Sequence, residues 1–222
     1  IILKLETVFK SFKQQKVLDN LSLMIERGER MCLLGPSGCG KTTVLRLIAG
    51  LEVPDRGKII INNSLVSHDR NILKETSERG IGLVFQDLSL FPHLNIFQNV
   101  SYSLHEFASV KIKERTNYLL DCVGMLPFRE KYPHMISGGE QQRVAIARAL
   151  APNPKLMLMD EPFTSLDNRL RDEIRELTLS LLSKERTSVI LVTHDPEEAM
   201  KVSDSIALMR EGSIIQKGAP YN

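Results

Sequence analysis

The chain has 222 residues, 42% of them hydrophobic and 25% charged, with a formal net charge of +2. These values fit one globular domain, or one carrying a small inserted subdomain, that buries its core without disulfides or a structural metal. The charge balance leaves no nucleic-acid footprint, charges break every apolar run before the ~18 residues of a membrane span, and three cysteines (Cys32, Cys39, Cys122) without a C-x-x-C argue against a disulfide framework or zinc site.

Cysteine usage of this kind points to a reducing compartment. The opening, IILKLE, has neither an initiator Met nor a signal peptide, so the chain reads as part of a longer one. Leu5, Val8, Phe9 and Phe12 interleave with polar residues, and Leu21, Leu23 and Ile25 alternate with Ser22, Met24 and Glu26. Alternation predicts an antiparallel sheet with one wet face. After Gly28-Glu29 the character changes: MCLLG at 31–35 is apolar without alternation, as are IGLVF at 81–85, LMLM at 156–159 and SVILV at 188–192. Such runs predict strands of a parallel sheet, buried on both faces.

Each run gives way to polar or glycine-rich sequence: a Gly-rich loop, Gln86, Asp160-Glu161 and Thr193-His194 in turn. Open α/β sheets bind ligands beyond the carboxyl ends of their strands, so four such ends predict one site. Residues 88–136 hold no buried-strand run and read as a helical insertion. Within it, residues 111–123 carry Ile112, Leu119, Cys122 and Val123, with Gly124 as C-cap. A later helix over 170–184 carries Leu170, Ile174, Leu177, Leu181 and Leu182. IALMREGSIIQKG predicts a hairpin turning at Glu211-Gly212.

Residues 35–42, G-P-S-G-C-G-K-T, match the phosphate-loop pattern G-x-x-x-x-G-K-[ST] in full. Gly38 and Gly40 let successive N–H groups face a phosphate, Lys41 supplies charge, and Thr42 offers a hydroxyl to Mg²⁺. A helix from about Thr42 to Ala49 turns its positive end to the anion. Asp160 at a buried strand end suits Mg²⁺, and Glu161 can orient or deprotonate an attacking water. Residues 136–143, I-S-G-G-E-Q-Q-R, hold a capping box from Ser137 to Glu140 at the start of a helix. Gly138-Gly139 in its first turn costs about 1–2 kcal/mol, which makes sense if another backbone or phosphate approaches closely.

Taken with the phosphate loop, Asp160-Glu161, Ser165-Leu166-Asp167 and His194, this segment makes the whole chain resemble the ATP-binding cassette family in order and spacing. Glu140 and Ile136 are mild departures, since the family more often has Gln and Leu there. The resemblance implies an α/β fold: a P-loop NTPase core with a mainly parallel sheet, an antiparallel β-subdomain and an inserted α-helical subdomain at 88–150, in one ATP-binding domain over 1–222. It implies ATP and Mg²⁺ as cofactors. ATP would meet Gly35, Pro36, Ser37, Gly38, Cys39, Gly40, Lys41, Thr42 and Thr43, and Thr42, Gln86 and Asp160 would serve the metal. Phe12 aligns with the aromatic that stacks on adenine, with Phe9 a nearby competitor. Glu161, His194 and Gln86 take the catalytic positions. Ser137, Gly138 and Gly139 would meet the γ-phosphate held by a second copy, and Asp167 lies in the loop that reaches across that head-to-tail homodimer.

The segment DLSLFPHLNIFQNV after Gln86 resembles the part of bacterial importer cassettes that accepts a coupling helix. Leu90, Phe91, Pro92 and Leu94 could mark that partner surface or pack locally against the insertion. The leading expectation is an importer's ATPase subunit, peripheral on the cytoplasmic face of the inner membrane. Its partners would be transmembrane permease subunits and, indirectly, a substrate-binding protein, but no nucleic acid. A soluble cassette ATPase is the alternative, but no coiled-coil insertion is present. SGGEQQR, DEPFTSLDNRLRDEIRE and THDPEEAM look most like the ferric-iron, polyamine and sugar importer branch, with a lean to ferric iron. Members of that branch often carry a C-terminal regulatory β-domain; residues after Gln216 read as the approach to one, absent from this chain.

Overall fold

The computed structural model describes residues 1–13, 15–105, 108–164 and 166–220. The alternating N-terminal segments become β1 (Leu3–Phe12) and β2 (Gln15–Ile25), paired antiparallel. Leu21, Leu23 and Ile25 are buried while Ser22, Met24 and Glu26 are exposed, the burial that a period of two predicts. With β4 (Arg56–Ile61), β5 (Ser64–His68) and β6 (Asn71–Ile72) they form a sheet of order β2-β1-β4-β5-β6. Inward parity changes inside β1. Leu5 and Val8 are both buried although three residues apart, because Thr7 adopts a φ of 47° and the register shifts there.

The second sheet has the order β11-β10-β3-β9-β8-β7. Its strands are β3 (Arg30–Leu34), β7 (Ile81–Val84), β8 (Leu156–Asp160), β9 (Ser188–Thr193), β10 (Ser205–Arg210) and β11 (Ser213–Gly218). All pairs are parallel except the β10–β11 hairpin, which turns at Glu211-Gly212. The four unalternated apolar runs are therefore neighbours in one parallel stack. Leu34 lies opposite Thr193, Val192 opposite Asp160, and Met159 opposite Val84, so their carboxyl ends emerge side by side.

Helices cover both faces of this sheet. They are α1 (Lys41–Ala49), α2 (Ile96–Ser101), α3 (Ser109–Cys122), α4 (Gly138–Leu150), α5 (Asn168–Lys184) and α6 (Pro196–Val202), with α2, α3 and α4 between β7 and β8. Strand β8 explains the absence of alternation. Leu156 and Leu158 pack into a core with α1 and the antiparallel sheet, while Met157 and Met159 pack into another with α4, α5 and α6. Each such side chain contributes about 1.5–3 kcal/mol when fully buried.

Two arginines tie the layers together. Arg79, 4% exposed, donates to the Leu47 and Ile48 carbonyls at the end of α1 and to Ser67 on β5. It supplies the donors that a helix C-terminus lacks. Arg115 of α3 grips both Glu185 oxygens at 3.1 and 2.8 Å and the carbonyls of Leu150 and Ala151.

Candidate active site

Residues 35–40 leave β3 and curl into the N-terminus of α1. Gly38 and Gly40 have φ of 81° and 106°, left-handed conformations that residues with a β-carbon resist. Gly40 also has no room: a β-carbon there would lie 2.8 Å from Leu18 Cδ2 and 3.0 Å from the Val17 carbonyl. Gly38 faces open space, and Pro36 and Ser37 are exposed beside it. Lys41 is buried and folded over the loop, its Nζ donating to the Gly35 and Pro36 carbonyls at 2.7 and 2.9 Å. Cys39 packs inside the loop, with its Sγ 3.9 Å from Lys41 Nζ, and Thr43 is half-buried on the helix.

The other strand ends converge on this loop. Thr42 donates from Oγ1 to Asp160 Oδ1 at 3.2 Å. Burial pushes the Asp160 carboxyl above its usual range; the Thr42 bond opposes this and the Glu161 charge adds to it. A cation beside Asp160 reverses that penalty. Glu161 takes a φ of 45°, unusual for a residue with a side chain, and is held there by its N–H to the Val192 carbonyl at 3.0 Å. Its Oε1 lies 3.1 Å from Nδ1 of the exposed His194. Gln86, past β7, lines an open cleft of ≈ 600 Å³ with Thr42 and Asp160. Among the described residues no three His, Cys, Asp or Glu side chains gather into a metal cage. A Thr hydroxyl with one carboxylate instead suits Mg²⁺, which keeps water and phosphate oxygens in its shell.

Arg46 also lines the cleft, and its charge acts on Asp160. Sequence reasoning missed it. The available signal was its place one helical turn beyond Thr42. Phe12 is 40% exposed at the end of the β1–β2 hairpin, with Lys10 Nζ 4.7 Å from its ring centroid, whereas Phe9 is half-buried. Exposure leaves Phe12 the available ring.

Ser137, Gly138 and Gly139 do not join this cluster. Among the described residues they make no hydrogen bond to the phosphate loop and do not line the cleft. Ser137 caps α4, and its N–H and Oγ both donate to Glu140 Oε2 at 2.7 Å, which holds that carboxyl below its usual range. The two glycines differ. Gly138 is exposed and a β-carbon there meets nothing within 4 Å. Gly139 is buried, and a β-carbon would lie 2.5 Å from Leu170 Cδ2. Close approach from outside is thus open at Gly138 alone, and Gly139 serves the packing of α4 on α5. Asp167 is exposed and caps α5 by accepting from the Leu170 N–H at 3.1 Å; Ser165 lies outside the described residues. Farther on, Leu90, Phe91 and Leu94 are half-buried and Pro92 exposed. Phe91 packs on Tyr102, with ring centroids 4.6 Å apart, and under the Arg148 guanidinium, so part of this apolar segment is local packing.

A family model described as "ABC transporter" matches residues 18–164. The chain is 42% identical over 221 residues to "Fe(3+) ions import ATP-binding protein FbpC 2" of Haemophilus influenzae, covering 99% of this chain and 62% of that protein. It is 46% identical to an Fe(3+) ions import ATP-binding protein of Photorhabdus laumondii, over 98% of this chain and 61% of that one. A sulfate/thiosulfate import ATP-binding protein of Pseudomonas syringae is 43% identical, over 98% and 67%. The chain spans about three fifths of the length of the first two of these relatives. Among solved structures, a dimeric post-hydrolysis state of an ATP-binding cassette bound to ADP and Pi superposes with a TM-score of 0.86 at 32% identity, covering 99% of both chains. Likewise cbiO1 from Clostridium perfringens, part of an ABC transporter complex, gives 0.88 at 31% identity, over 99% of this chain and 88% of that one.

Proposed function

This chain belongs to the ABC transporter family, and we propose that it is the ATP-hydrolysing subunit of a membrane importer. The observation that carries the reading is the meeting of four strand ends: the phosphate loop, Gln86, the Thr42–Asp160 pair and the Glu161–His194 contact. Lys41 exchanges the neutral carbonyls of Gly35 and Pro36 for phosphate oxygens, which make stronger, charge-assisted bonds. The loop N–H groups and the start of α1 hold the same anion. Phe12 stacks on the adenine. Thr42 and Asp160, with Gln86, would hold Mg²⁺, which supplies charge neutralisation to the phosphates.

Glu161 orients the attacking water and takes its proton, and His194 keeps that carboxylate in place from 3.1 Å. In the homodimer the α4 N-terminus, with Ser137 and Gly138, faces the γ-phosphate on the other copy, where its dipole favours negative charge. Residues 88–150 form the arm that carries it. ATP binding closes the pair and hydrolysis reopens it, moving permease subunits in the membrane. The subunit sits peripherally on the cytoplasmic face of that membrane, against those permeases; among the described residues no helix is long and apolar enough to cross a membrane. Cargo is handled by those permeases and a substrate-binding protein. Relatives at similar identity include both Fe(3+) and sulfate/thiosulfate import proteins, and of these two cargoes our reading leans to ferric iron.

The test is Glu161→Gln, sized by light scattering with Mg-ATP and assayed for phosphate release. It is expected to bind ATP, to accumulate as a dimer and to turn over roughly 10²–10⁴-fold more slowly. A variant that stays monomeric and hydrolyses at the parent rate overturns the reading.

A further inference from the structure

Lys10 is 7% exposed, although it stands on β1 only two residues before the exposed Phe12. Lysine is rarely buried so far without partners, and here the ammonium has three. Its Nζ donates to the Val53 carbonyl at 2.9 Å, pairs with Glu52 Oε2 at 3.1 Å, and stands over the Phe12 ring, 4.7 Å from the centroid. Residues two apart share a face of a strand, so cation and ring lie on the same side of β1. A cation at this range is attracted to the ring face. With the ammonium over one face, the opposite face is the one left to a base.

The partners of Lys10 belong to the stretch that follows α1. Gly50 caps that helix, and the N–H groups of Leu51 and Glu52 return to the Arg46 carbonyl at 2.9 and 3.3 Å. Asp55 laces the same stretch to β1. Its carboxylate accepts from the Ser11 N–H at 2.7 Å, and its own N–H donates to the Phe9 carbonyl at 2.9 Å. Helix α1 begins at the phosphate loop, so one end of it meets the phosphates and the stretch beyond its other end anchors the cation behind Phe12. A buried ion pair contributes little net stability, so what this one supplies is an arrangement. We propose that Lys10 is a positioning residue for the nucleotide base. Anchored behind α1, it holds the Phe12 ring by its inner face, in a fixed place relative to the phosphate loop, and leaves the outer face to adenine. This rests on the reading of Phe12 as the ring that stacks on adenine.

The test uses Lys10→Met, which keeps the side-chain length and removes the charge, and Lys10→Arg, which keeps a cation. The chain contains no tryptophan, so Phe12→Trp introduces a single fluorescent ring at the site. Time-resolved anisotropy of that ring without nucleotide reads how firmly it is held. ATP and inorganic tripolyphosphate, which has no base, are titrated in parallel against chains that retain Phe12. Lys10→Met is expected to free the Trp ring, to bind ATP about 5–30-fold more weakly, the ratio that a desolvated cation–π contact supports, and to bind tripolyphosphate within about twofold of the parent. Lys10→Arg is expected to recover most of both the ring order and the ATP affinity. In a Phe12→Ala chain, Lys10→Met is expected to weaken ATP no further. Unchanged Trp mobility in Lys10→Met overturns the proposal, whatever the affinities. Equal losses for ATP and tripolyphosphate also overturn it, because they mark a general disturbance of the fold. If Lys10→Met does not fold, Glu52→Gln loosens the ammonium from outside and carries the same readouts, with the same outcomes deciding. If Phe12→Ala binds ATP as tightly as the parent, the stacking reading has failed, and the anisotropy still decides whether Lys10 holds the ring.

Discussion

Replacing Gly138 with Ala is expected to stabilise the monomer while disabling the enzyme. Gly138 opens α4, is exposed, and has open space where a β-carbon would sit. Gly-to-Ala inside a helix is worth up to about 1 kcal/mol, and the first position realises part of it. At this chain length 1 kcal/mol moves the midpoint by about 2–4 °C, so a rise of about 1–3 °C is expected. Gly139→Ala runs the other way, because its β-carbon would meet Leu170 Cδ2 at 2.5 Å and Cγ at 3.2 Å. Overpacking costs about 1–3 kcal/mol against the same helix gain, leaving about 0–2 kcal/mol of destabilisation. Thermal unfolding of the nucleotide-free monomer separates the two variants. ATP-driven association and phosphate release then read function. If a phosphate on a second copy docks at the α4 N-terminus, the methyl at Gly138 displaces it from its N–H donors. Losing one such donor costs about 10²–10³ in turnover. Full turnover and normal association in Gly138→Ala would refute docking at that glycine, and with it the head-to-tail arrangement.

Phe12→Ala is expected to weaken ATP binding by about 1–3 kcal/mol, the range for base–aromatic stacking, as measured by titration with a fluorescent analogue. The same loss in Phe9→Ala and none in Phe12→Ala would assign the stacking ring to Phe9. Arg115→Ala leaves Glu185 without its bidentate partner and is expected to cost about 2–3 kcal/mol at neutral pH by urea unfolding. Burial alone would raise Glu185, but the hydrogen bonds and charge of Arg115 outweigh it and hold the carboxyl below its usual range. A depressed carboxylate contributes stability that is present above the unfolded value near 4.3 and is lost as pH falls through the lower folded value. The parent is therefore expected to lose this contribution below about pH 4, and Arg115→Ala to lack that part of the acid slope. Equal midpoints for the two proteins at pH 7 would contradict it.

The residues themselves determined whatever depends on a few neighbours in sequence. Unalternated apolar runs marked the parallel strands, because a strand covered on both faces needs no polar side. G-P-S-G-C-G-K-T marked the phosphate loop, because left-handed turns demand glycine at 38 and 40. The capping box at Ser137 and the turn at Glu211-Gly212 were equally local. Tertiary structure decided what depends on strand order and on packing between distant segments. Glu161 meets His194 across 33 positions because β8 and β9 are neighbours, an adjacency that neither segment encodes alone. The same holds for Arg79 capping α1 from 31 positions away and for Arg115 gripping Glu185. Even within local motifs, Gly138 and Gly139 look alike in sequence. They part only when α5 brings Leu170 against one of them and leaves the other open, because steric room belongs to the assembled layers and not to the residue.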